Sequence, residues 1–256
     1  MEVLLPIFFF CLGAIIASFM GVVVERINTG GSWVGGRSRC DACGKTLRAF
    51  DIVPVLSYAA ARGRCRMCGT RVSWYGSASE IVLGTLFVLA YLKLGLSNGL
   101  PVFLFLLSSL LATVLYDLRH MFVPRPFFLA VAGSALVFAV LVAPSAMMLG
   151  AWLLGATAIG LAFFLLFFLS GGRAMGLGDA PIALSLSLAA GSAALSGLIF
   201  SFWIGAVVGI GLLVLVPRTR RMGVEVPFVP FLAAGFLLAY FTTWEPFSII
   251  ASLLGT

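Results

Sequence analysis

The sequence predicts an all-α polytopic membrane protein with about eight transmembrane helices and a small cytoplasmic loop domain. The chain has 256 residues, of which 62% are hydrophobic and 10% are charged. A soluble domain averages about 45–50% apolar and about 25% charged residues, so most of this chain must face lipid or other buried helices. Apolar runs of roughly the length of a membrane span recur along the chain, and the basic residues gather in a few polar segments between them.

Eight apolar runs account for the predicted helices, since a spanning helix needs about 20 apolar residues. Helix breakers such as Ser97-Asn98-Gly99 and Pro144-Ser145 separate most of them. The first run is longer than the usual signal-peptide core of about 7–15 residues and no basic residue precedes it, so we expect a retained span. The runs cover residues 4–24, 81–96, 100–116, 127–143, 147–169, 180–195, 198–216 and 227–241.

The basic residues predict the orientation, because Lys and Arg accumulate on cytoplasmic loops. With eight spans, every Lys and Arg except Lys93 falls on one side of the membrane. We therefore expect a first transmembrane helix in residues 1–25, a cytoplasmic four-cysteine module in residues 26–79 and a membrane-embedded domain in residues 80–256. The basic residues on this side favour anionic lipid headgroups as partners and do not require nucleic acid.

Four cysteines form two CxxC pairs in the polar segment after the first run, at Cys40, Cys43, Cys65 and Cys68. Two such pairs are typical of a tetrahedral zinc site in which each pair supplies two thiolate ligands. The alternative is two disulfides, which the reducing cytoplasm disfavours. Because four protein ligands leave no open position for a substrate, the zinc is expected to be structural.

Two aspartates lie at the boundaries of predicted spans, where ionisable groups are costly and usually functional. Asp117 ends the third run, and Asp179 begins the sixth, directly after the glycines Gly176 and Gly178. Both aspartates fall on the same membrane face, so they are candidates for a pair that shares a proton, activates a water and protonates a leaving amine. The simpler interpretation is a polar residue where a helix meets water, and we prefer it for Glu80.

The helix ends suggest different roles for the two aspartates. Asp179 is expected at a helix N-terminus, where the macrodipole favours negative charge, and Asp117 at a helix C-terminus, where it does not. We therefore hypothesise that Asp117 holds the proton of the resting pair and that Asp179 is the base.

The chain resembles the type IV prepilin peptidase family, the bifunctional leader peptidase/N-methyltransferases of pilus and type II secretion systems. The resemblance runs nearly from end to end, and the order of its motifs makes it specific. The motifs are Ala17-Ser18-Phe19 in the first run, the two CxxC pairs with Leu56-Ser57-Tyr58 between them, the stretch from Val72-Ser73 to Glu80, Asp117 with Val123-Pro124, Gly176-Leu177-Gly178-Asp179, and Pro227-Phe228 with Pro230-Phe231-Leu232.

This resemblance implies an aspartic endopeptidase of a bacterial inner membrane that cleaves the leader of prepilins or pseudopilins at the cytoplasmic face. It implies Asp117 and Asp179 as catalytic residues, with Glu80 supporting the site, and methylation of the new N-terminus with S-adenosylmethionine. The chain departs from the family pattern at Gly21, Ala180-Pro181, Val229 and Arg125, but none of these departures removes an aspartate of the pair. No oligomeric state follows from the sequence.

Two other functions remain open on the sequence. An intramembrane aspartic protease of the presenilin type shares the Tyr116-Asp117 and Gly176–Asp179 motifs, but those families lack the four-cysteine loop. A transporter or a non-enzymatic membrane scaffold with a zinc fold is the second alternative. Transport favours ion sites near the bilayer midplane, whereas these aspartates lie at helix ends.

Overall fold

The computed structural model describes residues 3–27, 35, 38–40, 42–173, 175–215 and 226–246, and the regular structure of these residues is helical. Short 3-10 helices occur at Ala49–Asp51 and Gly191–Ala193, and isolated antiparallel bridges join Arg39 to Thr46 and Arg64 to Arg71. The α-helices are α1 (Leu4–Arg26), α2 (Leu56–Ala60), α3 (Tyr75–Leu94), α4 (Gly99–His120), α5 (Arg125–Val142), α6 (Ala146–Ser170), α7 (Asp179–Ala190), α8 (Ala194–Leu215) and α9 (Val229–Thr242).

Every predicted apolar run corresponds to one of these helices, and only the five-residue α2 was not predicted. The all-helical membrane fold is therefore confirmed. Within the described residues, six helical stretches are long and apolar enough to cross a membrane. Five of them are α1, α3, α4, α5 and α6; the sixth, Asp179–Leu212, runs through α7, the 3-10 turn and α8. The apolar helix α9 is shorter, with 14 residues.

The chain divides into two compact units, Met1–Leu100 and Pro101–Thr256. In the first unit, α1 packs directly on α3. The ring of Phe9 stacks on Tyr91 with centroids 4.8 Å apart, while a Cβ placed on Gly13 would lie 2.8 Å from the Cα of Gly84. These contacts run in opposite directions along the two helices, so α1 and α3 are antiparallel. Backbones this close are typical of membrane helices that pack through small residues.

The second unit is built around α7, which packs on α5, α6, α8 and α9. Nine of its 12 residues are buried, including Asp179 at its first position. The helix is about 18 Å long at 1.5 Å per residue, well short of the roughly 30 Å hydrocarbon core of a bilayer. Because α7 is enclosed on several sides, the aspartate that opens it has a fixed position in the bundle.

Buried hydroxyl groups in the second unit are satisfied within their own helices. Each donates to the carbonyl four residues earlier, which removes the cost of burying an unpaired polar group. Ser201 also reaches a different helix, with its Oγ 3.3 Å from the carbonyl oxygen of Leu232. The residues that follow this pattern are Ser108, Ser109, Thr113, Ser134, Ser185, Ser187 and Ser201.

The contact between α1 and α3 yields a stability prediction. Gly13→Ala places a methyl group 2.7 Å from the carbonyl oxygen of Leu83, so the helices must separate. We expect the free energy of unfolding to fall by about 1–3 kcal/mol, the usual cost of overpacking. The measurement is unfolding of the purified chain in detergent. Gly21→Ala on the same helix is the control, because a Cβ there meets nothing within 4 Å. Equal effects of the two substitutions would contradict the packing argument.

Candidate active site and cysteine cluster

Asp117 lies in the last turn of α4, which ends at His120, and its side chain is buried. The backbone N–H of Val229, the first residue of α9, interacts with the Asp117 carboxyl group. The other carboxyl oxygen, Oδ2, is buried without a hydrogen-bond partner among the described residues. A buried polar atom without a partner carries a free-energy cost and requires an explanation, which a bound water or substrate group would supply.

Asp179 is the first residue of α7 and is also buried. Its Oδ2 accepts a hydrogen bond of 3.1 Å from the backbone N–H of Gly176, and its own N–H donates to the carbonyl of Gly176 at 3.2 Å. This pair of bonds closes a tight turn before the helix. A Cβ on Gly178 would lie 3.4 Å from the side chain of Val123, so the turn packs closely on the segment after α4.

The two aspartates line one cavity of about 950 Å³ within the second unit. They are close enough for the charge of Asp117 to act on Asp179. Pockets of about 300–1,000 Å³ are the size that enzymes use to bind ligands. The other lining residues are Met121, Phe122, Val123, Arg125, Phe128, Phe164, Gly172, Arg173, Met175, Gly176, Leu177, Gly178, Ala180, Pro181, Val226, Pro227 and Phe228.

A helix N-terminus faces each carboxyl group. Asp179 opens α7, as the sequence predicts, and the start of α9 at Val229 lies against Asp117. The unfavourable C-terminal dipole of α4 is therefore opposed by the favourable N-terminal dipole of α9 at the same carboxyl group. The helix-end argument for different roles of the two aspartates considered only α4 and α7, so it no longer separates them.

The contribution of Val229 was not predicted from the sequence. It acts through its backbone N–H, so no side-chain motif marks it. One feature of the sequence could have indicated it. Pro230 marks the first turn of a helix, where proline is favoured, and the preceding residue at such a helix start has an N–H without a partner in the helix.

Glu80 lies in the first unit, in the second turn of α3, and is buried. Its Oε2 accepts a 2.7 Å hydrogen bond from the backbone N–H of Val55. It also lines a smaller cavity of about 360 Å³ beside the cysteine cluster. The carboxyl group thus holds the loop before α2 against a membrane helix.

The four cysteines predicted as ligands converge in the first unit. The Sγ atoms of Cys40, Cys43, Cys65 and Cys68 all lie within 4.8 Å of one another, and those of Cys40 and Cys68 are 3.9 Å apart. Four thiolates at about 2.3 Å from a tetrahedral zinc are separated from one another by about 3.8 Å. The donor set therefore fits a metal ion of this size and geometry.

Two copies of one local turn build this cluster. In the first, the N–H of Cys40 donates to the carbonyl of Lys45 at 3.0 Å, and the N–H of Gly44 donates to the carbonyl of Cys40 at 2.8 Å. The second repeats these bonds between Cys65 and Thr70 and between Gly69 and Cys65, both at 2.8 Å. The two glycines have φ angles of +68° and +73°, in the left-handed region. We call these turns the two knuckles, residues 39–46 and 64–71.

The surroundings of two of the four thiols, Cys40 and Cys68, favour the thiolate form, which is the metal ligand, whereas desolvation and the neighbouring thiols of Cys40 and Cys68 raise the pKa of Cys43 to about 11. Hydrogen bonding from the Thr70 hydroxyl, whose oxygen is 3.3 Å from the Cys68 sulfur, lowers the pKa of Cys68 to about 6. The backbone N–H groups of Cys43 and Ala42 lower the pKa of Cys40. Both groups are therefore easier to deprotonate than an ordinary thiol.

Two family models match consecutive parts of the chain. The bacterial peptidase A24 N-terminal domain matches residues 11–94, which include the cysteine cluster. The type IV leader peptidase family matches residues 104–214, which include both aspartates. No solved structure matches the chain significantly.

Several curated proteins that bear the name prepilin leader peptidase/N-methyltransferase are similar to this chain. The protein from Bacillus subtilis (strain 168) is 30% identical over 235 residues, covering 90% of this chain and 92% of the relative. The Pseudomonas putida protein is 32% identical over 222 residues, covering 85% and 76%. The Myxococcus xanthus protein is 36% identical over 137 residues, covering 53% and 41%.

The positive φ angle in the second knuckle yields a prediction for metal affinity. Gly69→Ala meets nothing within 4 Å, so its cost is conformational alone. Left-handed backbone costs a residue with a side chain about 1–2 kcal/mol, which corresponds to roughly a tenfold weaker affinity for Zn²⁺ in competition with a chelator. Gly76→Ala is the control, since Gly76 lies in α3 without close neighbours. If both variants retain Zn²⁺ equally, the knuckle geometry does not control the site.

Proposed function

Since this chain belongs to the type IV leader peptidase family of aspartic-type prepilin leader peptidases, we propose that Asp117 and Asp179 are its catalytic pair. The substrates are the leader peptides of prepilins or pseudopilins, cleaved at the cytoplasmic membrane face. One observation carries this proposal: both carboxyl groups line the same cavity, and an oxygen of Asp117 there has no hydrogen-bond partner among the described residues.

The chemistry requires one proton to be shared by the two carboxyl groups. The ionised carboxylate accepts a proton from a water molecule, whose oxygen attacks the carbonyl carbon of the scissile peptide bond. The protonated carboxyl group gives its proton to the leaving amine as the carbon–nitrogen bond breaks. The N–H of Gly176 holds Asp179 and the N–H of Val229 holds Asp117 during these steps. Because the pair titrates as a unit, we assign the shared proton to the pair as a whole.

Three further residues support the site in this proposal. Gly176 supplies the N–H donor to Asp179, and Gly178 permits the close approach of the turn to Val123. Glu80 has a supporting role in its own unit, where it fixes the loop that precedes α2.

The proposed cysteine ligands hold a structural zinc ion. The support for zinc is the all-sulfur donor set, the convergence of the four sulfurs within 4.8 Å, and the 3.9 Å separation of the Cys40 and Cys68 sulfurs. Cys40, Cys43, Cys65 and Cys68 would hold the zinc ion, which would cross-link the two knuckles and leave no open position for water or substrate.

We place the protein in a bacterial inner membrane with the cysteine module on the cytoplasmic side, since the basic residues cluster there. The proposed division keeps a first transmembrane helix in residues 1–25, the four-cysteine module in residues 26–79 and the peptidase domain in residues 80–256. Membrane lipids are the partners of the basic loops, and no role in nucleic-acid binding is proposed.

Methylation of the new N-terminus is the second proposed activity, because the relatives are named N-methyltransferases as well as peptidases. S-adenosylmethionine would supply the methyl group to the free amine. The 360 Å³ cavity of the first unit is lined by side chains that suit the polar groups of S-adenosylmethionine. Carboxylates of Asp51 and Glu80 suit its amino and ribose groups, and arginines such as Arg64 and Arg71 suit its carboxylate.

The presenilin-type protease and the scaffold or transporter are not retained as functions. The family of the chain is that of leader peptidases, and its N-terminal model covers the four-cysteine loop that presenilin-type proteases lack.

The catalytic pair is tested by cleavage of a co-expressed prepilin by the wild type and by Asp117→Asn and Asp179→Asn. Each substitution removes a group that must gain or lose a proton, so we expect cleavage to slow by at least about 10²–10⁴-fold. Mass spectrometry of the product N-terminus measures cleavage and also detects the added methyl group.

Asp51→Asn is the matched control for the cleavage readout alone, because Asp51 lines the cavity proposed for S-adenosylmethionine. Asp51 lies in the first unit, where it pairs with Arg66 at 3.6 Å, and it should leave cleavage at the wild-type rate. Wild-type cleavage by a folded Asp117→Asn or Asp179→Asn variant would refute the aspartic pair. A cleaved product without a methyl group would support the proposed peptidase activity and contradict the proposed methyltransferase activity.

Zinc is tested by metal analysis of the purified full chain. We expect about one zinc ion per chain in the wild type and its loss in Cys40→Ser and Cys65→Ser, because each removes one of four ligands. Cys11→Ser is the control, since Cys11 lies in α1 outside the cluster. A wild-type chain purified without zinc, or variants that keep it, would defeat the assignment.

A further inference from the structure

Residues 49–56, which we call the docking segment, expose an unusual amount of apolar surface. The segment comprises the 3-10 helix Ala49–Asp51 and the loop into α2. The exposed fractions are 78% for Phe50 and 68% for Leu56, and Ile52 and Val53 are also exposed. Four large apolar side chains within seven residues form a patch of the kind that marks a protein or membrane interaction site.

A hydrogen bond places this segment at the level of the membrane. The N–H of Val55 donates to Oε2 of Glu80 at 2.7 Å, and Glu80 is the sixth residue of the candidate span α3. Its Cα lies about 7.5 Å along the helix axis from that of Tyr75. Side chains on a helix tilt toward its N-terminus, so the carboxyl group lies beside the first two turns. The docking segment therefore lies alongside the start of a membrane helix.

An aromatic pair marks the membrane boundary at the same helix end. Trp74 and Tyr75 stack with ring centroids 4.5 Å apart, and both are exposed. Tryptophan and tyrosine are enriched at the membrane–water interface. Nearly two turns further along α3, Ile81 and Val82 are exposed apolar residues that follow Glu80 in the chain. The exposed apolar surface of α3 therefore begins at the residue to which the docking segment is hydrogen-bonded.

The docking segment contains a strained backbone conformation at Val55, which the contacts around it stabilise. Val55 has a φ angle of +62°, which is rare for a β-branched residue. Its N–H is bound by the buried Glu80 carboxyl group, and it directly precedes α2. A conformation of this cost persists only when the surrounding structure enforces it.

The carboxylate of Asp51 within the segment is paired with Arg66 at 3.6 Å, and the remaining charges beside the segment match an anionic surface. Arg48 precedes it and Arg62 follows α2, and neither forms an ion pair with any residue that the structure describes. Both arginine side chains are exposed. Basic residues beside a membrane helix are attracted to anionic headgroups.

We propose that the docking segment inserts into the interface of an anionic phospholipid bilayer. The side chains of Phe50, Ile52, Val53 and Leu56 contact the acyl-chain boundary, while Arg48 and Arg62 contact headgroup phosphates. The segment thereby fixes the cysteine module against the membrane surface through lipid, in addition to its covalent connections to α1 and α3.

The test uses the full chain reconstituted into vesicles of phosphatidylglycerol and phosphatidylcholine, with the photoreactive residue p-benzoylphenylalanine in place of Leu56. Mass spectrometry identifies what the residue captures. The matched control carries the same residue at Thr46, an exposed position of the first knuckle. We expect lipid adducts at position 56 in at least several-fold excess over position 46.

Adducts to a peptide of a second copy or of a prepilin at position 56, an absence of adducts there, or equal lipid adducts at position 46 would each overturn the proposal. Phe50 provides an independent position if the chain with the probe at Leu56 does not retain its fold. In the chain with the probe at Leu56, Arg48→Gln combined with Arg62→Gln should lower the yield of lipid adducts in phosphatidylglycerol vesicles by roughly fivefold or more. An unchanged yield would contradict the proposed contact of Arg48 and Arg62 with headgroup phosphates.

Discussion

The candidate active site depends on the backbone N–H groups that are left unpaired where helices begin, because a membrane helix pairs all its other N–H groups internally. Within a bilayer every backbone N–H must be paired, which helices achieve everywhere except in their first turn. The donors at the two aspartates come from such places: Gly176 just before α7 and Val229 at the start of α9. Asp117, at the end of α4, completes the site from the opposite kind of helix end. The chemistry is therefore confined to the boundary where helices begin and end.

The short central helix makes this arrangement rigid. α7 is enclosed by α5, α6, α8 and α9 and is too short to cross the hydrocarbon core alone. Close glycine contacts hold the bundle around it. Gly160 of α6 accommodates Leu184 of α7, where an added Cβ would lie 2.9 Å from that side chain, and Gly235 of α9 lies directly against Ser201 of α8. Each of the buried hydroxyls bonds within its own helix, and Ser201 alone among those described also reaches another helix, so shape complementarity carries most of the packing around Asp179.

The helices and the site side chains could be predicted from the sequence because their signals are local. Runs of apolar residues set the helices, the CxxC spacing identified the four cysteines, and the positions of Asp117 and Asp179 at run ends brought them to one cavity. What could not be predicted depends on contacts between distant segments. The approach of Val229 to Asp117, and the bond from Val55 to Glu80, involve backbone groups that any residue carries. The apolar pattern did predict two helices between Asp179 and Leu215, but it placed the break after residue 195, whereas the structure has a 3-10 turn at Gly191–Ala193.

The repeated turns of the cysteine cluster bear on how the protein is made. Each knuckle closes through hydrogen bonds between residues at most five positions apart, so each can form as soon as its own residues leave the ribosome. The first unit ends at Leu100, and the second, Pro101–Thr256, takes about 8–31 s more to synthesise at about 5–20 residues per second. With the proposed zinc in the cluster, metal capture could precede completion of the peptidase helices. A cell short of zinc would then meet the defect in the first unit, while the second unit is still being synthesised.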